Sequence, residues 1–467
     1  MACEKKPVGS FTAKVGLVLL AGCILVPMSL VTMLGHYDVP MQTLSLLFSV
    51  GSASSVTPGG RSDGPVVCDF SSPRSDICEL KGDVRVLLPN ATILHFHPSA
   101  KPRSWRMKPL ARKHDPHALA RVTEVTIIAS SPHPRTNHSA PPPAPCTATH
   151  AAPAVVFSAG GYAGNMFHVL TDVLVPLFAT ARRLAGDDDD VHLLVRDAQP
   201  WWLDRYGPLL RGLSRHAVVD VDVDRSSGSS GGAAVLCFPR VVVGLDFHKE
   251  MSVDAARTMP GGYTMADFAG IVRRSYGLPR DTATRLHGNN TGDDGPRPRL
   301  LIISRKSTRT FTNIDAITST ATALGFDPIV AEPERYASLA AFARVVNSCD
   351  VMVGVHGAGL ANLVFLPAGG VVVQVVPLGG LDAVAAEDFG APARDAGLRY
   401  VHYAVGVEES SLATRYPRDH RVLRDPAAVR REGGWMALRA AYLVGQNVTV
   451  DVRRFSGALR AAMELLP

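Results

Sequence analysis

The chain has 467 residues, of which 46% are hydrophobic and 19% charged, and its formal net charge is +6. This apolar content suffices for the cores of two ordinary domains and excludes a wholly disordered chain. Lysines and arginines are dispersed, with no long basic block interleaved with aromatic residues, so nucleic acid is not an expected partner. A mildly basic balance suits small polyanionic substrates better.

The first apolar segment predicts a membrane span. Residues 15–34 contain no charged residue, and about 20 apolar residues suffice to cross a bilayer. Lysines precede this run, which predicts a cytoplasmic N-terminus and a lumenal remainder. A cleaved signal peptide, with small residues near position 52, is the alternative. We assign the cytoplasmic tail, the transmembrane signal anchor and a Ser/Gly-rich stem to residues 1–14, 15–35 and 36–65.

Sequons and cysteines agree with this topology. N-glycosylation sequons follow the apolar run at Asn90, Asn137, Asn289 and Asn447. Five of the seven cysteines also follow it: Cys68, Cys78, Cys146, Cys237 and Cys349. An odd number allows at most two internal disulfides and leaves one thiol, and spacing alone does not decide the pairing. These features predict a single-pass type II membrane protein of the secretory pathway.

Beyond the stem, short apolar runs alternate with helical patterns. The predicted strands include DVRVLLP, EVTIIAS, AVVFSAG, HLLVRD, VVDVDV and RVVVGLD, and MFHVLTDVLVPLFATARRL predicts an amphipathic helix. A second alternation runs through RLLIISR, FDPIVAE, DVMVGV and GVVVQVVP. Such alternation predicts an α/β fold with parallel sheets. We expect two Rossmann-like domains facing a cleft, at 66–286 and at 300–467 with C-terminal helices, joined by a polar linker at 287–299.

The segment GVHGAGL lies between two of these strands. It places His356, Gly357, Ala358 and Gly359 where a strand ends and a helix is expected to begin. Glycines allow close approach of the backbone, and a helix N-terminus carries partial positive charge. The segment therefore predicts a diphosphate site to which His356 can donate a hydrogen bond. A glycine turn with a packed histidine is the alternative.

The segment SRKSTRTFTN follows another strand of the same half. Ligands of doubly wound sheets bind at the carboxyl ends of strands, and arginine and lysine there can neutralise a diphosphate. A solvated basic turn is the alternative. The residues predicted to join the anion site are Ser304, Arg305, Lys306, Arg309 and Asn313.

The helix at GNMFHVLTDVLVPLF carries the predicted catalytic pair. His168 and Asp172 are four residues apart and so share one helix face, where a carboxylate can orient an imidazole that acts as general base. Asp172 could instead be the base itself, or His168 could face a cap with Asp172 solvated. Asn165 and, in DFHKE, His248 are predicted to lie on the acceptor side, with Asp246 and His248 as the next base candidates.

Together with CDVMVGVHGAGLANLVFLP and AAEDFGAPARDAGLRY, these blocks resemble glycosyltransferase family 61, particularly its plant members that decorate xylan. The resemblance covers most of residues 66–467. It implies a Golgi type II enzyme with a GT-B fold that transfers arabinofuranose or xylose from a UDP-sugar to a xylan-type polysaccharide, with inversion and without a metal or other cofactor. The implied partners are the UDP-pentose, the polysaccharide, the Golgi membrane and a possible Golgi enzyme complex.

Two alternatives remain at this point. Val169 stands where members of the family often carry an acidic residue, so a catalytically lapsed member that acts as a complex partner is one of them. The acidic runs DDDD at 187–190 and DVDVD at 220–224 favour a metal-dependent transferase of the GT-A type as the other. We expect no metal site, because DDDD is predicted to be a loop and DVDVD an exposed strand.

Overall fold

The computed structural model describes residues 66–131, 145–223, 234–286 and 297–467. The predicted tail, anchor and stem lie outside the described residues, as do Asn137, Asn289 and most of the predicted linker. Among the described helices, none is long and apolar enough to cross a membrane.

The first half of the described chain forms a ten-stranded sheet. Its strands are β1 (Val66–Asp69), β2 (Ile77–Leu87), β3 (Thr92–Phe96), β4 (Arg103–Met107), β5 (Val125–Ser130), β6 (Ala148–Thr149), β7 (Ala154–Ser158), β8 (His192–Arg196), β9 (Val219–Asp220) and β10 (Val235–Val243). The strand order is β4-β5-β3-β2-β10-β7-β8-β9, with β1 beside β2 and β6 beside β10.

This sheet is mixed, which corrects the prediction of a parallel one. The pairings β6–β10, β7–β10, β7–β8 and β8–β9 are parallel, whereas β1–β2, β2–β3, β2–β10 and β4–β5 are antiparallel. The reason is that β2 and β3 are joined by a short turn, and parallel neighbours need a longer crossover connection. The predicted strand VVDVDV shrinks to β9, because Asp220 turns back to accept a hydrogen bond from the Asp222 N–H.

The second half forms a five-stranded sheet that is parallel throughout, as predicted. Its strands are β11 (Arg299–Ile303), β12 (Asp327–Ala331), β13 (Val351–Val355), β14 (Val371–Val376) and β15 (Arg399–Ala404). The order β12-β11-β13-β14-β15 is that of a doubly wound sheet, in which the winding reverses between β11 and β13. A ligand crevice is expected outside the carboxyl ends of those two strands.

Helices connect and cover the strands. The α-helices are α1 (Pro116–Leu119), α2 (Met166–Val169), α3 (Val175–Ala185), α4 (Pro200–Leu213), α5 (Met265–Ser275), α6 (Ile314–Ala323), α7 (Leu339–Asn347), α8 (Asp382–Ala385), α9 (Ala391–Asp395), α10 (Leu412–Arg415), α11 (Arg421–Arg424), α12 (Pro426–Leu438) and α13 (Val452–Glu464). Turns of π-helix lie at Leu170–Leu174, Ala386–Gly390 and Arg439–Val444, and 3₁₀ turns at Gly186–Asp188, Ala255–Thr258, Pro333–Arg335, Ala358–Phe365 and Val407–Glu409. The helix expected after HGAG is thus a 3₁₀ helix.

Apolar strands and helix faces bury one another in a continuous core. Val155 of β7 and Leu301 of β11 are fully buried in the same cluster, so the core draws on both sheets. Burial of a large aliphatic side chain stabilises the fold by about 1.5–3 kcal/mol. The core thereby holds the carboxyl ends of the strands, and the loops that follow them, in place.

The cysteines form two disulfides, Cys68–Cys78 and Cys146–Cys237, and Cys349 is a buried free thiol. The limit of two bridges with one thiol left over is confirmed. The pairing itself required the sheet, because β1 lies beside β2 and the segment entering β6 lies beside β10.

Candidate active site

A cavity of about 610 Å³ opens where β11 and β13 end. Ser304 and Arg305 follow β11, and Ala358 and Gly359 follow β13, so the cavity lies at the reversal of the winding. Aromatic side chains also reach it, from Trp201 on α4 and from the loop after β12. The lining residues are 163–166, Trp201, Arg205, Tyr206, 303–307, Pro333, Glu334, 336–339, Phe342, Ala358, Gly359 and Asn362.

Two arginines beside the cavity lack carboxylate partners. The Arg305 Nε donates to the Thr308 carbonyl, and the Arg309 Nη1 donates to the His356 carbonyl at 2.6 Å. Within the described residues neither guanidinium forms an ion pair, and the Arg309 Nε is buried without a hydrogen-bond partner. Burial, followed by the charges of Arg305 and Arg439, lowers the pKa of Arg309 to about 9. Burial also lowers the pKa of Arg305. An anion would relieve both effects.

The two arginines leave no room for a side chain at position 357, so a glycine is required there. Its φ of 141° lies in a region that favours glycine. A Cβ at this position would lie 2.7 Å from the Arg309 Nη1 and 3.2 Å from the Arg305 Nη1. The turn therefore leaves room for the guanidinium groups directly against the backbone that begins the 3₁₀ helix.

His356 is held as a neutral imidazole. Tyr400 donates to the Gln374 Oε1, so the amide nitrogen of Gln374 faces the His356 Nδ1 at 2.8 Å. The Nδ1 must then accept, which places the proton on the Nε2. Burial, with Arg309 and Arg305 nearby, lowers the pKa of His356 to about 3. The Nε2–H can therefore donate a hydrogen bond at any physiological pH.

The remaining residues of SRKSTRTFTN divide into two groups. Ser304 is buried and lines the cavity, and Lys306 lines it too while its Nζ lies 3.0 Å from the Glu332 carboxylate. Asn313 is not brought to the cavity. Its amide group makes hydrogen bonds to the carbonyl and the N–H of Val450, so it fastens the loop to the C-terminal segment.

The predicted pair His168 and Asp172 does share a face. The His168 Nδ1 lies 3.1 Å from the Asp172 Oδ2, across the π-helical turn that follows α2. Arg74 and Arg112 approach the other oxygen of Asp172 at 3.4 and 3.3 Å. Asp172 is 2% exposed, so its carboxylate is enclosed by three partners. This arrangement favours the prediction that Asp172 orients His168 over the alternatives in which Asp172 is the base or is solvated.

Glu250 completes this cluster, although the sequence pattern drew attention to its neighbours in DFHKE. It pairs with Arg74 and accepts a hydrogen bond from the Thr171 hydroxyl. His248 points elsewhere: its ring is buried, with the Nδ1 accepting from the Asp254 N–H and the Nε2 3.5 Å from Asp246. Asn165 caps α2 by accepting from the Phe167 N–H, and it lines the cavity.

The cluster meets the HGAG segment through two aromatic rings. Phe167 on α2 lies 5.3 Å from Phe389, and Phe389 lies 5.5 Å from His356, measured between ring centroids. Asp388, the neighbour of Phe389, brings a carboxylate oxygen to 3.9 Å from the His356 Nε2. Arg74, Arg112, Glu250 and Asp388 were all missed from the sequence. Only AEDF and DFHKE carried a signal, as short segments that combine an acidic residue with a phenylalanine.

The acidic runs lie apart from this site. Arg182 pairs with Asp189, Arg215 and His216 pair with Asp190, and Arg196 pairs with Asp222. Asp224 lies outside the described residues. In the described parts of the chain no three His, Cys, Asp or Glu side chains are arranged to hold a metal ion.

Two predicted sequons fall on described residues. Asn90 is exposed in the turn between β2 and β3. Asn447 is half-buried, and its side-chain oxygen accepts a hydrogen bond from the Thr310 N–H.

A doubly wound sheet that has a cavity, a glycine turn and two arginines without an ion pair among the described residues at its switch point is typical of proteins that bind a phosphorylated small molecule. The model of the family described as Glycosyltransferase 61 matches residues 166–373. That range contains α2, HGAG and all the residues that line the cavity except 163–165. Together with the relatives described next, this match shows that the chain belongs to glycosyltransferase family 61.

The relatives include rice proteins with named activities. The alpha-1,3-arabinosyltransferase XAT3 of Oryza sativa subsp. japonica is 41% identical over 86% of this chain and 65% of its own length. The beta-1,2-xylosyltransferase XYXT1 of the same species is 39% identical over 85% of this chain and 84% of its own. The xylan glycosyltransferase MUCI21 of Arabidopsis thaliana is 32% identical over 84% and 78%. The chain thus spans slightly less than two thirds of the arabinosyltransferase.

Proposed function

We propose that the protein is an inverting glycosyltransferase that moves a pentose, arabinofuranose or xylose, from a UDP-sugar to a xylan-type polysaccharide. The observation that carries the donor class is the pair Arg305 and Arg309, which form no ion pair among the described residues and lie beside a cavity at the switch point. A dianionic diphosphate is the ligand that such a pair recognises. The named activities of the relatives support pentose as the sugar and xylan as the acceptor.

In this proposal the two halves form a GT-B-like pair and divide the substrates between them. The C-terminal sheet holds the nucleotide in the cavity, with the diphosphate on Arg305, Arg309 and the backbone of Gly357 to Gly359. The His356 Nε2–H donates to the phosphate or the sugar. As the bond from the anomeric carbon to the phosphate oxygen breaks, negative charge develops on UDP, and fixed cations stabilise it without reorganisation.

The attacking hydroxyl must lose a proton on the face of the sugar opposite UDP. Two groups of the cluster can accept it: His168, oriented by Asp172, and the Asp388 carboxylate. Asn165, at the cavity edge beside α2, would contact the acceptor. Paired charges around Asp172 and Glu250 leave this side nearly neutral, which suits an uncharged polysaccharide.

The reaction is proposed to need no metal ion, because the arginines supply the charge that a divalent cation would otherwise bring to the diphosphate. Activity should therefore persist when the protein is assayed in EDTA. Loss of transfer in EDTA with recovery in Mn²⁺ would contradict this and favour the metal-dependent alternative.

A Golgi location with the catalytic part in the lumen is also proposed. It is supported by the uncharged run at 15–34 that follows lysines, and by sequons placed only after it. Glycosidase treatment of the full chain made in a secretory host should increase its gel mobility, and the protein should sediment with membranes. Cleavage near residue 55 with release into the medium would contradict the anchor.

The full chain should be assayed with a panel of UDP-arabinofuranose, UDP-xylose, UDP-glucose and UDP-N-acetylglucosamine against xylo-oligosaccharides and, as a control, cello-oligosaccharides. We expect one pentose donor to give transfer to xylo-oligosaccharides alone. Preference for a hexose donor or a cello-oligosaccharide would overturn the substrate assignment. UDP binding without transfer in any combination would favour a lapsed enzyme.

A further inference from the structure

Asp388 is an acidic side chain that no part of the proposed donor site requires. It lies on the π-helical turn Ala386–Gly390, between α8 and α9, in the connection that follows β14. Single π turns inside helices are frequent at functional sites, and Asp172 lies on the corresponding turn of the other half. The Asp388 side chain is 22% exposed, so it is largely enclosed but reachable.

The order of loops along the sheet edge determines what Asp388 would face. The carboxyl ends follow the sequence β12, β11, β13, β14. They present, in turn, the aromatic loop at 336–342, Arg305, the HGAG turn and the segment that carries Asp388. A nucleoside diphosphate sugar laid along this edge, with its nucleoside in the cavity and its diphosphate at the arginines, extends its sugar past His356 towards Asp388.

The groups packed around Asp388 keep its carboxyl unsatisfied. Across the described residues no donor hydrogen-bonds it, and the His356 Nε2, which belongs to a neutral ring, is 3.9 Å from its Oδ2. Burial is the largest influence, followed by the negative charges of Glu250 and Glu387, while Arg112 and Arg74 act in the opposite direction. The balance raises the pKa of Asp388 to about 7, which makes it a stronger base than an ordinary carboxylate.

We propose, resting on the transferase function above, that Asp388 is the general base of the reaction. Its carboxylate accepts the proton of the attacking acceptor hydroxyl. The acceptor oxygen forms a bond to the anomeric carbon, the bond from that carbon to the phosphate oxygen breaks, and its electron pair leaves with UDP. The neutral carboxyl then loses the proton to water after the products leave.

The other two candidates are less well placed for this step. Asp172 has both carboxylate oxygens engaged by His168, Arg74 and Arg112. The His168 Nε2 remains able to accept a proton, but the ring packs against Tyr162 at 4.6 Å between centroids and is linked to His356 through the rings of Phe167 and Phe389. Asp388 instead stands next to the histidine of the HGAG turn, where the reacting sugar is bound. His168 then serves to bind and position the acceptor.

The test compares Asp388→Asn with Glu387→Gln in the full chain. Both remove one acidic group with little change in volume, but Glu387 is exposed to solvent. For Asp388→Asn we expect kcat to fall by about 10²–10⁴-fold with unchanged UDP affinity, and for Glu387→Gln no more than a two-fold change. A decrease in kcat of less than five-fold in Asp388→Asn would overturn the assignment. So would a decrease in kcat that is accompanied by loss of UDP binding. His168→Ala should raise the acceptor KM more than it lowers kcat.

A second measurement tests the base even if the donor or acceptor has been misassigned. Difference infrared spectra between the wild type and Asp388→Asn should contain a protonated-carboxyl band that disappears as the pH is raised through about 7. A carboxyl that is fully ionised at pH 5 would overturn the proposal. Transfer activity absent from every pair of substrates, with this titration present, would count against the proposed function itself, whereas transfer that persists in Asp388→Asn would count against the role of Asp388 alone.

Discussion

The arginines around Asp172 in the first half and the two arginines beside the cavity in the second half have opposite kinds of partner. In the first half Arg74 and Arg112 are matched by Glu250, Asp172 and Asp115. In the second, Arg305 and Arg309 are held by carbonyl oxygens and form no ion pair among the described residues. A cation that already has a carboxylate partner gains little from a new anion, whereas a desolvated and unpaired one gains much. The difference indicates an anionic ligand on one side and a neutral ligand on the other.

Removing a charge from the ion pairs around Asp172 should lower the free energy of unfolding. Asp172→Asn takes the shared partner from two arginines and from His168, and breaking a buried pair typically costs about 3–5 kcal/mol. We expect about 3 kcal/mol of lost unfolding free energy, because Arg74 and Arg112 each keep a second carboxylate. Urea unfolding of Asp172→Asn beside Asp187→Asn, whose carboxylate is 86% exposed, measures this. Equal midpoints would mean that the cluster contributes nothing to stability.

The unpaired side should respond by losing donor affinity. Arg309→Ala removes a charge-assisted contact to phosphate that is worth about 1.5–3 kcal/mol, or roughly 10- to 100-fold in UDP affinity. Arg399→Ala is the matched control, since Arg399 begins β15 at the opposite edge of the same sheet. Calorimetric titration with UDP should separate the two variants. The same Kd for both would remove Arg309 from the donor site, and His356→Ala is expected to weaken binding as well.

Asp388 differs from Asp172 and Glu250 because, among the described residues, no arginine or lysine forms an ion pair with it. Its raised pKa means that the folded state resists ionisation, so stability falls as the pH rises from the unfolded value near 4 towards about 7. At pH 8 the free energy of unfolding of Asp388→Asn should therefore exceed that of the wild type by about 2 kcal/mol. The variant should then also unfold at a higher temperature. The advantage should vanish near pH 4. Thermal scans at both values, with Glu387→Gln alongside, check this, and a destabilised variant at pH 8 would contradict it.

The first half also contains a group of three histidine rings, in which His192 stacks on His216 and lies tilted against His150. Burial first, and then His216 and His150, lower the pKa of His192 to about 4. Above pH 6.5 the ring is neutral in both the folded and the unfolded state. As the pH falls towards 4 the unfolded state binds a proton that the folded state does not, so the free energy of unfolding falls by about 1–2 kcal/mol. Replacing His192 by phenylalanine, beside Phe238, should flatten the acid limb of the stability profile. An unchanged limb would show that other groups control it.

Local patterns in the sequence were enough to predict the sheet of the second half and which residues meet at its edge. Alternation of strands and helices predicted a parallel α/β sheet, and the glycines of HGAG and the arginines of SRKSTR were predicted to lie together. These signals suffice because parallel strands bring all their carboxyl ends to one edge, so that residues after different strands meet without any further information. Within the helix of the first half, a spacing of four residues was likewise enough to join His168 to Asp172.

Only the tertiary structure decided which strands pair and which side chains meet in the first half. The short turn between β2 and β3 makes its sheet mixed, and Arg74 and Arg112 reach Asp172 from segments about 100 and 60 residues away in sequence. It also separated Asn313 and His248 from the site that their motifs had suggested. The reason is that an ion pair, a desolvated carboxyl such as Asp388 and a buried guanidinium such as that of Arg309 depend on which distant side chains meet and how far water is excluded. Neither the contacts between distant side chains nor the exclusion of water can be deduced from the spacing of nearby residues in the sequence.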